Sequence, residues 1–203
     1  MISMEMTEDE YADRMLSLHT KIGLNYIASG RISTPLEREL RSALSKPFPF
    51  KYEFQEGFFR ASVADIDLLI MMYKPSIVFI DGSYLLRPAA HLSKLAGWEK
   101  VTEIVKELKL SAGKHHVPIV CSYQFNKDGD VHLSDSIAQI ATGVMGVYMP
   151  KDRTDQRIIK VRDNRNGPCG ELTINWDFDR VDFSEIMSTD EGQLSEFFTG
   201  EGV

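Results

Sequence analysis

Residues Ser76 to Leu86 read SIVFIDGSYLL, and the architecture depends on how that stretch is interpreted. Four consecutive apolar side chains, Ile77, Val78, Phe79 and Ile80, predict a strand buried on both faces, as in a parallel sheet covered by helices. The run stops at a carboxylate followed by a glycine, Asp81-Gly82. Ligands of open α/β sheets bind outside the carboxyl ends of parallel strands, so an aspartate at that point is placed to hold a metal ion, directly or through water. An ordinary Asp-Gly turn accounts for the same dipeptide.

Downstream, an irregular segment from Gly82 to Gly97 leads to an amphipathic pattern from Trp98 to His115, with Val101, Ile104, Val105, Leu108 and Ala112 on one side. Val117 to Tyr123, VPIVCSY, is then a second apolar strand that ends in Gln124 and Asn126. Strand, helix and strand make a βαβ unit, which brings Asp81 and Gln124 to one edge of a parallel sheet. A short helix near Asp135 to Ala141 precedes a third apolar run, Val144 to Met149. The alternating segments Arg157 to Val161 and Glu171 to Trp176, joined around Asn166-Gly167-Pro168, predict an antiparallel hairpin.

Upstream, Thr7-Glu8-Asp9-Glu10 is a capping box opening a helix with Tyr11, Met15, Leu18 and Ile22 on its apolar face and Gly23 at its end. Thr34-Pro35-Leu36-Glu37 opens a second helix, striped by Leu36, Leu40 and Leu44. Lys51 to Phe54 reads as a short strand. Ser62 to Asp65 caps a third helix with Val63, Ile66, Ile70 and Tyr73 inward, and Lys74-Pro75 stops it just before the central strand.

With 203 residues the chain can bury one sizeable core, and no apolar run approaches the ~18 residues of a membrane span. Met1 to Met6 lacks the basic start and apolar centre of a signal peptide. Cys121 and Cys169 are too few for a disulfide framework and are expected to be packed thiols, which predicts a cytoplasmic protein. The net charge of −7 is concentrated at one end: Asp177 to Val203 holds eight acids against the single base Arg180, so the body is neutral. Within the body, Lys151 to Arg165 carries six bases, a local surplus that can meet phosphate. The expected organisation is one domain over residues 1–187 and an acidic tail over 188–203.

Two metal readings fail on spacing. Asn126-Lys127-Asp128-Gly129-Asp130 imitates the start of a calcium-binding EF-hand, but Val131 replaces its glycine and Ile137 its terminal glutamate. His115 and His116 are adjacent, with no cysteine or acid at ligand spacing, and are expected at the surface rather than on zinc.

The order of features carries a resemblance. Ser3-Met4-Glu5-Met6, KPSIVFIDGSYLL, HHVPIVCSYQFNK, DSIAQIATGVMGVYM and VRDNRNGPCGEL follow one another between Ile2 and Trp176. Together they resemble the C-terminal RecA-like motor domain of DnaB-type hexameric replicative DNA helicases, in a phage-like form. That resemblance implies a mostly parallel RecA-like sheet with flanking helices and a C-terminal antiparallel hairpin. It implies ATP and Mg²⁺ as cofactors, single-stranded DNA as partner, a ring hexamer, and no membrane; a phage-encoded form works in the host cytoplasm. By motif match, Glu5 orients the attacking water, Asp81 holds Mg²⁺ through water, Gln124 senses the γ-phosphate and Arg165 reaches into the neighbouring subunit's site. Arg162 joins them at the nucleotide, while Arg87, Asn126 and Lys127 fall on loops facing DNA. The family's hairpin carries a lysine two residues before the arginine; here that position is Asp163.

The phosphate-binding loop G-x-x-x-x-G-K-[ST] occurs nowhere in the sequence; Gly113-Lys114 is followed by His115 and belongs to a helix end. In the resembled family that loop lies just ahead of the segment starting here at Met1, so the chain reads as a motor domain lacking its front and is expected not to turn over ATP alone. A RecA-like recombinase, a regulatory ATPase and a non-hydrolysing assembly subunit share this fold.

Overall fold

A computed structural model of the protein describes residues 1–46, 54, 61–89, 95, 97–124 and 134–186. Its centre is a parallel sheet in the order β1 (Ile2–Ser3), β2 (Val78–Asp81), β3 (Ile119–Cys121). Ile2 pairs with Ile80 and Ser3 with Asp81, while Val78 and Ile80 pair with Ile119 and Cys121. The predicted neighbouring of the two apolar strands is observed. β1 went unpredicted because two residues carry no periodicity.

Helices α4 (Val63–Tyr73) and α5 (Gly97–His115) pack on this sheet. Ile66, Ile70, Ile104 and Leu108 meet Val78, Ile80, Ile2 and Met4 in one buried cluster. Ser62 and Asp65 form the expected capping box, but Tyr73 is exposed rather than inward. The prediction that β2 is buried on both faces is corrected: Val78 and Ile80 are 5% and 1% exposed, whereas Ile77 and Phe79 are 43% and 45% exposed. Side chains alternate across a strand, and the second face, with Val120 of β3 beside Phe79, is left open.

The N-terminal helices form a satellite. α1 (Glu8–Thr20) has its Thr7–Glu10 capping box, but it ends at Lys21, a left-handed residue at φ 61° whose N–H reaches Ser17 O, rather than at Gly23. Gly23 instead precedes an unpredicted short helix, α2 (Leu24–Ser29). It is crowded there: an added Cβ would lie 2.5 Å from Asp179 Oδ2. Met15 and Ile22 are buried as expected, but Leu18 is exposed; in α3 (Thr34–Leu44), Leu44 is exposed too. Residues 51–53 of the expected strand lie outside the described residues, as do the calcium-like loop and the acidic tail.

A second, antiparallel sheet follows α6 (Ser134–Ile140), in the order β4 (Gly143–Tyr148), β5 (Gln156–Asn164), β6 (Glu171–Asn175). The β5–β6 hairpin is the predicted one, and the third apolar run pairs with it instead of extending the parallel sheet. Beyond β6, the chain returns to the satellite. Asp179 accepts from Leu24 N–H (2.5 Å) through its carbonyl and from Asn25 Nδ2 (2.9 Å) through its carboxylate, and Ser17 Oγ donates to its carbonyl at 3.2 Å. Trp176 packs at a tilt of 35° against Phe183 with centroids 4.7 Å apart, and the Arg14 and Arg157 guanidinium groups sit over Phe178 and Trp176.

Two smaller expectations change. Cys169 is exposed, while Cys121 is packed and its thiol pushed up to about 12 by burial. His115 is not a surface residue: its side chain is 12% exposed and Nε2 stands 3.0 Å from Asp67 Oδ1, without hydrogen-bond alignment.

Candidate functional site

The register of the parallel sheet decides what surrounds Asp81. Ser3 is its partner on β1, and Ser122 follows directly on Cys121, the partner of Ile80. Each serine takes one carboxylate oxygen: Ser3 Oγ donates to Asp81 Oδ2 at 3.2 Å and Ser122 Oγ to Oδ1 at 3.0 Å. Ser3 Oγ also accepts the N–H groups of Glu5 (3.2 Å) and Met6 (2.7 Å), which turns the chain out of β1 and directs Glu5 across the strand ends. Met4 N–H donates to Asp81 O at 3.0 Å, fixing that turn to β2.

The exit from β2 is as closely tied. Gly82 adopts φ +75°, and its N–H donates to Ser122 Oγ at 2.9 Å. Fully buried Ser83 donates to Ser122 O at 2.7 Å and opens the 3₁₀ turn Ser83–Leu85. This turn carries the Tyr84 hydroxyl to Glu5 Oε1, to which it donates. The bond to Glu5, with burial and the charges of Glu5 and Asp81, pushes the Tyr84 phenol up to about 12. Glu5 lies on the α-carbon of Gly82: a Cβ there would be 3.1 Å from Glu5 Oε1 and from Met4 Cβ. Two carboxylates thus stand together at the carboxyl ends of adjacent parallel strands, bracketed by hydroxyl groups.

Of the residues predicted from sequence, Glu5 and Asp81 are brought together, and Gln124 follows β3 at the same sheet edge with its side chain exposed. Arg165 lies past the end of β5 in the second sheet. Its guanidinium donates to the carbonyl of Gln139 and its N–H to Thr142 O (3.0 Å), so it rests against its own α6–β4 connection rather than on the Asp81 cluster. Arg162 is exposed on β5, and Asp163 is paired opposite Val144. Arg87 is exposed, with its N–H on Ala61 O at 2.9 Å. Asn126 and Lys127 lie outside the described residues.

Sequence reasoning missed Ser3, Ser122 and Tyr84. Ser122 carried a signal only as a hydroxyl residue at the end of the second apolar strand, and Ser3, on the unpredicted β1, carried none; both reach Asp81 through the sheet register alone. Tyr84 was not, because its partner is 79 residues away.

The donor set fits a hydrated divalent cation. Mg²⁺ is characteristically bound through one or two carboxylates, waters and phosphate oxygens, and Asp81 supplies one such carboxylate. Among the described residues no group of three or more His, Cys, Asp or Glu side chains forms an all-protein cage. The phosphate side is different: the Gly82 N–H is committed to Ser122, and the sequence supplies no phosphate-binding loop. Among the described residues no helix is long and apolar enough to cross a membrane.

Comparison with known proteins bears on the whole arrangement. The chain is similar to a solved structure described as an ATPase domain, with TM-score 0.81 and 18% identity over 92% of this chain and 74% of that one. It is also similar to a DnaB-like replicative helicase whose structure was described with its interactions with primase, with TM-score 0.76 and 18% identity over 92% of this chain and 50% of that one. These likenesses establish the RecA-like ATPase fold, of which the chain spans about three quarters and half of the two structures' lengths. No protein with a curated description matches it. The family model described as DnaB-like helicase C terminal domain matches residues 1–185. The chain, with its two carboxylates at the strand ends of a RecA-like sheet, therefore belongs to the DnaB-like helicase C-terminal domain family.

Proposed function

We infer that this chain is the metal-and-base portion of an ATP-driven replicative DNA helicase motor, acting in a ring hexamer on single-stranded DNA in the cytoplasm of the cell or phage host. The observation carrying this reading is the placement of Glu5 and Asp81 at the ends of the neighbouring strands β1 and β2, Glu5 lying against Gly82 and Asp81 held by Ser3 and Ser122. Asp81 holds hydrated Mg²⁺, and Glu5 orients the water that attacks the γ-phosphate. Gln124, at the end of β3, senses that phosphate. Arg165, with Arg162 as a second cation, serves the nucleotide of the adjacent subunit, and Arg87, Asn126 and Lys127 contact the DNA backbone. When bound, Mg²⁺ neutralises phosphate charge; what this chain contributes is orientation and a place for the water's proton.

The missing component is the phosphate cradle. β3 has no outer partner among the described residues, which supports a further strand and its phosphate-binding loop seating alongside β3, while exposed Phe79 and Val120 lie on the open face of the sheet. A sequence without that loop is equally compatible with a second reading, a non-hydrolysing assembly subunit. One experiment separates them. This chain alone is assayed for ATP turnover, then again joined at its amino end to the phosphate-binding segment of a DnaB-like helicase. A motor gives no turnover in the first case and DNA-stimulated turnover in the second, abolished by Asp81→Asn and by Glu5→Gln. Continued silence in a folded, ring-forming product sinks the motor reading, and turnover by this chain alone, lost in Asp81→Asn, sinks the claim that the cradle lies elsewhere.

A further inference from the structure

Tyr84 has no part in the chemistry assigned so far, yet it donates its hydroxyl to Glu5 Oε1. It does so from the 3₁₀ turn that directly follows Asp81, a turn closed by Leu85 N–H on Gly82 O at 2.9 Å and anchored by Ser83 on Ser122 O. The same glycine lets the Glu5 side chain lie against the backbone, since a Cβ at Gly82 would stand 3.2 Å from Glu5 Cγ and 3.1 Å from Oε1. Glu5 is itself exposed and sits just past a two-residue strand. Left alone, an exposed glutamate samples several rotamers, and holding it in one has an entropic cost that a bond to a rigid ring offsets.

The geometry points to Tyr84 as the positioning residue for Glu5: its hydroxyl holds Oε1 over Gly82, so that Oε2 alone is left to orient the attacking water. This rests on Glu5 having the role given above. It adds that the turn after β2 sets both carboxylates at once, Asp81 through Ser122 and Glu5 through Tyr84, so that movement of one is transmitted to the other. A bond taken by one carboxylate oxygen also breaks the equivalence of the two, which matters for a base that must face the water in one direction.

The contact can be tested on this chain without activity. With tyrosine labelled by ¹³C at Cζ, the Tyr84 resonance, identified by its loss in Tyr84→Phe, should titrate near 12 and move toward the ordinary tyrosine value of about 10 in Glu5→Gln. An unmoved titration overturns the proposal. The role is tested in the chain joined to a phosphate-binding segment as above. Tyr84→Phe should lower kcat about ten- to a hundredfold with KM within about twofold, and should cost nothing further in a Glu5→Gln background. If Glu5→Gln leaves kcat unchanged, the assignment of Glu5 is wrong and the proposal falls with it. If Glu5→Gln abolishes turnover while Tyr84→Phe does not affect it, only the positioning role falls.

Discussion

Gly82 shows at the level of one residue how closely the two carboxylates are built around the backbone. Its φ of +75° excludes most side chains, and the space over its α-carbon belongs to Glu5 and Met4. Gly82→Ala should therefore cost about 1–2 kcal/mol in urea denaturation from backbone strain alone and shift Glu5 as well. Gly113, inside α5 with nothing within 4 Å of an added Cβ, is the control: Gly113→Ala should gain about 0.5–1 kcal/mol. Equal effects at the two sites would show that Gly82 is not specially constrained. Asp81 was legible in the sequence because a strand pattern ending in Asp-Gly carries its own signal. The hydroxyl groups that hold the carboxylates were not, because Ser3, Ser122 and Tyr84 meet them only through sheet register and a turn. Arg165 was legible as a residue but not in its setting, since nothing local indicates that it rests on the Gln139 carbonyl.

Among elements, α4 and α5 meet in a polar contact at Asp67 beside their apolar seam. Asp67 on α4 accepts from Ser111 Oγ and from Lys114 Nζ (2.8 Å) on α5. Burial raises the Asp67 carboxyl, but these bonds and the charges of Lys114 and His115 outweigh it and hold the group below its usual range. A carboxyl whose folded value is depressed contributes stability above its unfolded value, near 3.9, and loses it as the pH falls through the folded one. Asp67→Asn should thus be less stable than the parent at pH 7 by about 1 kcal/mol, and the gap should narrow as pH falls below about 4. A gap that stays constant down to pH 2 in denaturant midpoints would remove Asp67 from the acid response. The helices α1, α3, α4 and α5 were readable because caps and apolar spacing recur along them. The strand β1 and the helix α2 were too short to show a period, and β2 was misjudged because an unbroken apolar run looks the same whether one face is covered or two.

For the whole molecule, the exposed face around Phe79 and Val120 and the outer edge of β3, unpaired among the described residues, predict that the isolated chain self-associates. Phe79→Lys should reduce that association in sedimentation without lowering the melting temperature by more than about 2 °C, because the side chain is 45% exposed; a large fall would mean that Phe79 is core after all. On the proposed function, Arg165→Ala in an assembled ring should bind nucleotide almost normally and lose hydrolysis on the order of a thousandfold. Mixing it with Asp81→Asn should restore part of the rate, since some interfaces then pair an intact Asp81 with an intact Arg165. A plain hairpin cation changes turnover less than about twofold and shows no such rescue. The return of the chain to its beginning has a mechanical consequence. Asp179 is fastened to Leu24, Asn25 and Ser17, and α1, which carries Ser17, is capped at Thr7, two residues after Glu5. A pull on Asp179 is therefore passed through Ser17 and α1 toward Glu5, the residue to which the proposed function gives the attacking water, so a tether attached there in an optical trap would act as a lever on it.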